Sequence, residues 1–358
     1  QKAEAPSQIE LLVSAPYLSG VVGFGYLDGG DNESEGGTQV QLVYTDGNTV
    51  KSLLSNTKNI FSDAKDLEIQ PLETGFVVIN SKLKILMYFK NTNTVNPVIY
   101  YFSNDISSKD TDFISSSAYK NTVVLSVANK AGENDEDFSG GVLWFYDFSQ
   151  SSGPKKESIA ISKKTNLADI TMIDEVNLFK VDIRGALSVY KIFDKKIKLV
   201  TQFYNVDSAK VINGTLYYLS KNSIYKYLPE QQYAELLYES ANLQLNNLES
   251  YSGGLVINGY SPNTSTNQSS YLISDLNKTS SPQLVDKLPY SLKDLPLLNT
   301  DFVGNKLYFR LDIRSLRVDY NTNNASYDKQ EFESKKQQVL RRLKLDGLDL
   351  SKLEVIFT

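Results

Sequence analysis

Gly214-Thr215-Leu216-Tyr217-Tyr218-Leu219-Ser220-Lys221-Asn222-Ser223-Ile224-Tyr225-Lys226-Tyr227, followed shortly by Ala234-Glu235-Leu236-Leu237-Tyr238, is the stretch that decides the fold. Its aromatic and apolar side chains suit a pleated, half-buried surface. Asn213-Gly214 before the first run is turn chemistry, and Asn-Gly is a strong hairpin signal. The segment therefore predicts three short consecutive antiparallel strands, at Gly214–Leu219, Ser223–Tyr227 and Ala234–Tyr238.

The same three-strand phrase recurs along the chain. A first unit takes Val21–Leu27, Val40–Tyr44 and Thr49–Leu54, and a second takes Gly75–Ile79, Leu83–Phe89 and Val98–Phe102. The third covers Thr122–Val127, Gly141–Phe148 and Glu157–Ile161, and the fourth covers Asn177–Asp182, Ala186–Ile192 and Lys196–Phe203. Beyond the fifth, quoted above, a sixth takes Gly254–Tyr260, Ser270–Ser274 and Gln283–Lys287. A seventh takes Lys306–Asp312, Val339–Leu345 and Leu353–Phe357. Seven units in 358 residues average about 51 residues each, near the length of a propeller blade. A blade needs a fourth strand, and Asp66–Pro71, Asp110–Ser115, Leu167–Ile173 and Val206–Ile212 can supply it. The expected fold is all-β, a seven-bladed β-propeller forming one domain over residues 1–358. An eight-bladed ring or paired β-sandwiches are the alternatives that the alternation permits. Asn321–Gln338 interrupts the pattern as a long polar insertion. Over Asp328–Leu343, Phe332, Val339, Leu340 and Leu343 stand at helical spacing, so a short helix and a solvated loop are both open.

Three phrases carry a resemblance. Leu42-Val43-Tyr44-Thr45-Asp46-Gly47 resembles the Tyr-Trp-Thr-Asp strand of low-density-lipoprotein-receptor-type propellers, without the tryptophan. The Leu216–Tyr227 hairpin is similar to an inner pair of the same kind. Leu340-Arg341-Arg342-Leu343-Lys344-Leu345-Asp346-Gly347 resembles the strand turn shared by those propellers and by TolB-type blades. The likeness spans about three blades and implies architecture, because propellers host enzymes, receptors and scaffolds alike.

Composition narrows the chemistry. With no cysteine, the chain has no disulfide, thiolate metal site or cysteine nucleophile; with no histidine, it has no imidazole base or His-Ser-Asp triad. Carboxylates, lysine and tyrosine remain, along with oxygen-ligated cations. The formal charge of −5 comes from 42 acidic and 37 basic residues with interleaved signs, so no nucleic-acid partner is expected. Arginine occurs at Arg184, then at Arg310, Arg314, Arg317, Arg341 and Arg342. A guanidinium cluster suits anions, while lysine-rich codon usage is the plainer explanation. No apolar run reaches membrane-spanning length; Ile85–Phe89 has strand length. The absence of cysteine and the abundance of Asn, Ser, Thr and Tyr fit an extracytoplasmic protein, in the periplasm or on a bacterial cell surface. The polar start is what removal of a leader would leave, with a lipid anchor expected upstream of Gln1.

Two acidic loops are the candidate site. Asp28-Gly29-Gly30-Asp31-Asn32-Glu33-Ser34-Glu35 follows the first strand of unit one, and Glu133-Asn134-Asp135-Glu136-Asp137 has the same place in unit three. Oxygen ligands with flanking glycines are what calcium requires, and Asp28, Asp31, Glu33, Asp135 and Asp137 are the candidate ligands. Neither loop has EF-hand spacing, and a merely solvated hairpin loop is the plainer reading of both. No other cofactor and no catalytic residue is assigned. Neither a phosphate-binding glycine loop nor a Gly-x-Ser-x-Gly elbow occurs. The expected function is an exported, non-enzymatic binding or scaffolding protein. Its working face would carry the long loops of units one, three, six and seven, and would meet a protein or a glycan. A glycan-binding adhesin and a carboxylate-based glycan hydrolase or lyase are the alternatives.

Overall fold

The computed structural model describes residues 9–27, 40–46, 50–55, 66–102, 112–132, 138–241, 244–251, 254–260, 268–273, 276, 284–288, 297–303, 306–311, 316–319, 324–327, 334, 337 and 354–357. The first sheet contains β1 (Ile9–Tyr17), β2 (Gly20–Leu27), β3 (Val40–Thr45) and β4 (Val50–Ser55). The second contains β5 (Leu67–Pro71), β6 (Gly75–Asn80), β7 (Ile85–Lys90) and β8 (Asn93–Tyr101). In the third are β9 (Phe113–Tyr119), β10 (Thr122–Lys130), β11 (Phe138–Asp147) and β12 (Lys155–Ile161). The fourth has β13 (Thr171–Met172), β14 (Asn177–Val181), β15 (Leu187–Phe193) and β16 (Lys196–Phe203). The fifth has β17 (Val206–Ile212), β18 (Thr215–Ser220), β19 (Ser223–Leu228) and β20 (Tyr233–Glu239). The sixth has β21 (Gln244–Tyr251), β22 (Gly254–Tyr260), β23 (Gln268–Ile273) and β24 (Leu284–Leu288).

Each of these six sheets is an antiparallel meander in sequence order. After them come β25 (Leu297–Val303), β26 (Lys306–Leu311), a hairpin of β27 (Leu316–Asp319) and β28 (Asn324–Tyr327), and β29 (Glu354–Phe357). β25, β26 and β29 form a sheet in which β29 runs parallel to β26. The expected strand at Val339–Leu345 lies outside the described residues. The insertion differs from the expected loop or helix at its start, where β28 pairs with β27; Ser334 and Gln337 are helical. Among the described residues no helix is long and apolar enough to cross a membrane.

The first strands of successive sheets meet. β1 contacts β5, β5 contacts β9 and β9 contacts β13; further on, β17 contacts β21, β21 contacts β25, and β25 returns to β1. Sheets four and five share one core in which Phe179, Leu187 and Val189 pack against Leu216, Tyr218 and Tyr227. The chain is thus a β-propeller, with apolar faces buried between neighbouring sheets and short edges at the rim. Every described core cluster has this shared character. Phe76 stacks on Phe89 with ring centroids 4.6 Å apart, and Tyr17 from the first sheet meets Phe76 edge-on at 4.9 Å. Burying one such ring contributes about 1.5–3 kcal/mol.

Pairing register gives each sheet two distinct ends. Tyr17 pairs with Gly20 and Ile9 with Leu27, so the turn into β2 and the exit from β2 lie at opposite ends. The first-to-second and third-to-fourth turns share a hairpin end. The second-to-third connections and the crossings between sheets share a loop end.

Candidate functional site

Near the axis, the first strands are joined by small hydroxyls. Ser115 Oγ accepts the Asp169 N–H at 3.0 Å, and Ser117 Oγ accepts the Met172 N–H at 2.9 Å. Ser208 Oγ accepts the Leu248 N–H at 3.2 Å, linking β17 to β21. On the other side of β9, Ser116 Oγ–H donates to Glu68 Oε2, and Gln70 Nε2 donates to Ser116 Oγ at 3.0 Å. Bulky side chains would hold these strands apart; serine lets them approach and satisfies backbone groups at the same time. These polar groups hold the ring together.

The titratable groups left open by composition are constrained here. Burial raises the Glu68 carboxyl above the ordinary glutamate range; the Ser116 hydrogen bonds oppose that rise and nearby Asp169 adds to it. Burial lowers Lys180, while Asp169 and Asp182 oppose the fall, and its ammonium donates to Asn166 Oδ1 at 2.9 Å. Tyr17 is pushed up to about 12, by burial first and then by Tyr44 and Tyr88. Burial also raises Tyr217, Tyr218 and Tyr227. These phenols stay protonated at neutral pH, which removes them as general bases.

At the loop end of the fourth sheet, Asp182-Ile183-Arg184-Gly185-Ala186 makes a tight turn between β14 and β15. Asp182 Oδ1 accepts the Arg184 N–H at 2.9 Å and the Ala186 N–H at 3.0 Å. The backbone closes twice more, from Gly185 N–H to Asp182 O at 3.1 Å and from Asp182 N–H to Ala186 O at 3.0 Å. Gly185 lies at φ +80°, and its carbonyl accepts the Val206 N–H at 2.9 Å. This frame holds Ile183 out with 94% of its surface exposed, beside the exposed Arg184. Tyr204, 64% exposed, lies two residues before Val206 in the adjoining crossing. An aliphatic side chain and a guanidinium on one hydrogen-bonded turn, with a phenol on the adjoining crossing, bring together side chains suited to anchoring a protein interface.

The hairpin end carries a cleft of about 550 Å³ between the third and fourth sheets. Tyr119, Phe145 and Ile192 give it apolar surface, and Glu73, Asp147, Glu157 and Glu175 line it together with Lys120 and Lys155. Neighbouring hairpin turns are tied together there: the Glu73 N–H donates to Lys120 O at 3.2 Å, and Asn121 Oδ1 accepts both the Thr74 N–H and the Thr74 hydroxyl at 3.0 Å.

Asp28, Asp31, Glu33, Asp135 and Asp137 all lie outside the described residues. The strand ends that bound their segments, Leu27 with Val40 and Lys130 with Phe138, stand at the loop end, away from the cleft. Among the described residues no three acidic groups are placed to hold a metal ion. The Asp182–Ala186 turn was not singled out in the sequence. Its available signal was Arg184, isolated from every other arginine, inside Asp-Ile-Arg-Gly, where turn-formers flank an apolar residue.

No family model matches this chain. The propeller architecture implied by the resemblance to the low-density-lipoprotein-receptor and TolB types is the one observed. No curated protein matches the chain either. Among solved structures, it is similar to a chain of the mitotic checkpoint complex, with 9% identity, TM-score 0.45, and 83% of this chain and 85% of that one covered. It is similar also to the Cps50 (Swd1) β-propeller domain of Myceliophteria thermophila, at 9% identity and TM-score 0.45 over 79% and 87% of the two chains. A third likeness is to dipeptidyl peptidase 4 of Porphyromonas gingivalis, at 15% identity and TM-score 0.42, covering 71% of this chain and 43% of that one. The fold assignment rests on the sheet order and the succession of strand contacts.

Proposed function

We propose that this chain is an exported, non-enzymatic binding or scaffolding propeller of a bacterial envelope, whose loop end meets a protein partner. In this reading the β25–β26–β29 sheet is its seventh blade. The observation that carries the proposal is Ile183, almost fully exposed on a turn with four internal hydrogen bonds and with Arg184 beside it. An immobilised turn loses little entropy on association, so an exposed anchor there is effective. Export draws support from 358 residues without cysteine, and a lipid anchor upstream of Gln1 would hold the protein at the envelope.

The test is affinity capture of partners from envelope extracts of the native cells, comparing the wild-type chain with Ile183→Asp and Arg184→Glu. Loss of a truncated anchor weakens binding by about thirtyfold when it is a hot spot. The expected result is loss of a specific protein from both captures, with unchanged thermal melting. Equal recovery by all three chains would overturn the assignment. A glycan-array signal insensitive to both substitutions would favour the adhesin reading instead.

A further inference from the structure

We infer that the cleft at the hairpin end takes a cationic group on an alkyl stem, namely a lysine or arginine side chain of an extended segment in a partner protein. This goes beyond the loop-end reading and uses the opposite end of the sheets. At about 550 Å³ the cleft has the size of a ligand site, with room for one long side chain and part of its backbone. Its walls come from strands: Phe145 from β11, Ile192 from β15 and Tyr119 from the end of β9. Together they offer apolar and aromatic surface to methylene groups.

Charge decides the class of ligand. Four carboxylates line the cleft against two ammoniums. Lys155 is already taken by Glu157, Nζ to Oε1 at 3.1 Å. Lys120 lies 5.4 Å from the centroid of the Tyr119 ring. Among the described residues, Glu73, Asp147 and Glu175 make no ion pair. A cation entering the cleft therefore meets three carboxylates and one ammonium, and an anion meets the reverse balance. A neutral sugar can hydrogen-bond these carboxylates through its hydroxyls but gains no net charge attraction from their surplus, whereas a cation does. The amide of Asn121 is committed: its oxygen takes both Thr74 donors, and its nitrogen lies 3.5 Å from Glu73 Oε2. Asp147 is oriented by the Ser149 N–H, which donates to Oδ1 at 2.9 Å.

The experiment measures fluorescence anisotropy of labelled six-residue peptides with the full chain. Serine alternates with lysine, glutamine or glutamate, and both termini are blocked. The lysine peptide is expected to bind at least about tenfold more tightly than the glutamine peptide, and to weaken as salt rises. Asp147→Asn combined with Glu175→Gln should weaken it by at least about tenfold. Asparagine keeps the Oδ1 acceptor for Ser149, and if the pair lowers the melting temperature, Glu175→Gln alone carries the comparison, since Glu175 is exposed. Ile183→Asp should leave peptide binding unchanged. The inference fails if the lysine peptide does not bind at millimolar concentration, if the glutamine or glutamate peptide binds as well, or if the carboxylate variants retain full affinity.

Discussion

Glu68 shows how one side chain connects ring architecture to pH. Its carboxyl is drawn into the gap between the second and third sheets and is bonded there to Ser116. Burial raises its folded-state pKa above the ordinary value, so the folded chain keeps this proton to higher pH than the unfolded chain. Stability contributed by protonated Glu68 is therefore present at low pH and is lost as pH rises from the ordinary glutamate range through the raised value. Glu68→Gln keeps an oxygen for Ser116 and carries no charge. Urea titrations should find the variant about equal to wild type near pH 4 and more stable near pH 7. A variant less stable at neutral pH would show that the ionised form is the favoured one. At this scale the sequence was partly legible. Asn213-Gly214 was readable as a hairpin turn, and both residues have positive φ, +49° and +78°. The tip of the Asp182–Ala186 turn was not, because one apolar residue among turn-formers is indistinguishable from a strand end until its exposure is known.

Strands divide into two kinds by what they touch. Second strands such as β6 and β10 are buried on both faces, and their apolar runs were readable. First strands lie at the crowded axis and carry polar residues that serve the neighbouring sheet. In β9 the run Ser115-Ser116-Ser117 alternates between the fourth and second sheets. Such strands have weak hydrophobic alternation, which is why β5 and β17 were placed only as gap segments and β1 was not among the expected strands. Ser117→Ala would leave the buried Met172 N–H without its acceptor, at a cost of about 1–3 kcal/mol. Ser162→Ala, at an exposed hydroxyl that bonds only the neighbouring Lys164 N–H at 3.3 Å, should change stability by less than about 0.5 kcal/mol. Denaturant unfolding of the two variants separates the cases; equal effects would mean that the axial serines are not structural.

Across the whole molecule, the two ends of the sheets differ in chemistry. The loop end presents Ile183, Arg184 and Tyr204, and the hairpin end presents the acidic cleft. Repeat spacing made the propeller legible, since the recurring three-strand phrase predicted the later strands of successive sheets. What spacing could not reveal was closure, because the contact of β25 with β1 joins segments nearly the whole chain apart. The propeller assignment depends on the sheets standing in a closed ring, with β25 returning to β1. The absence of cysteine makes that directly measurable, because Ser14→Cys on β1 and Thr300→Cys on β25 can be spin-labelled without background. Each position stands three residues before its own strand's hairpin. A closed ring predicts strong dipolar broadening in the doubly labelled chain relative to the sum of the two single labels. A doubly labelled spectrum equal to that sum would contradict closure, and with it the propeller assignment.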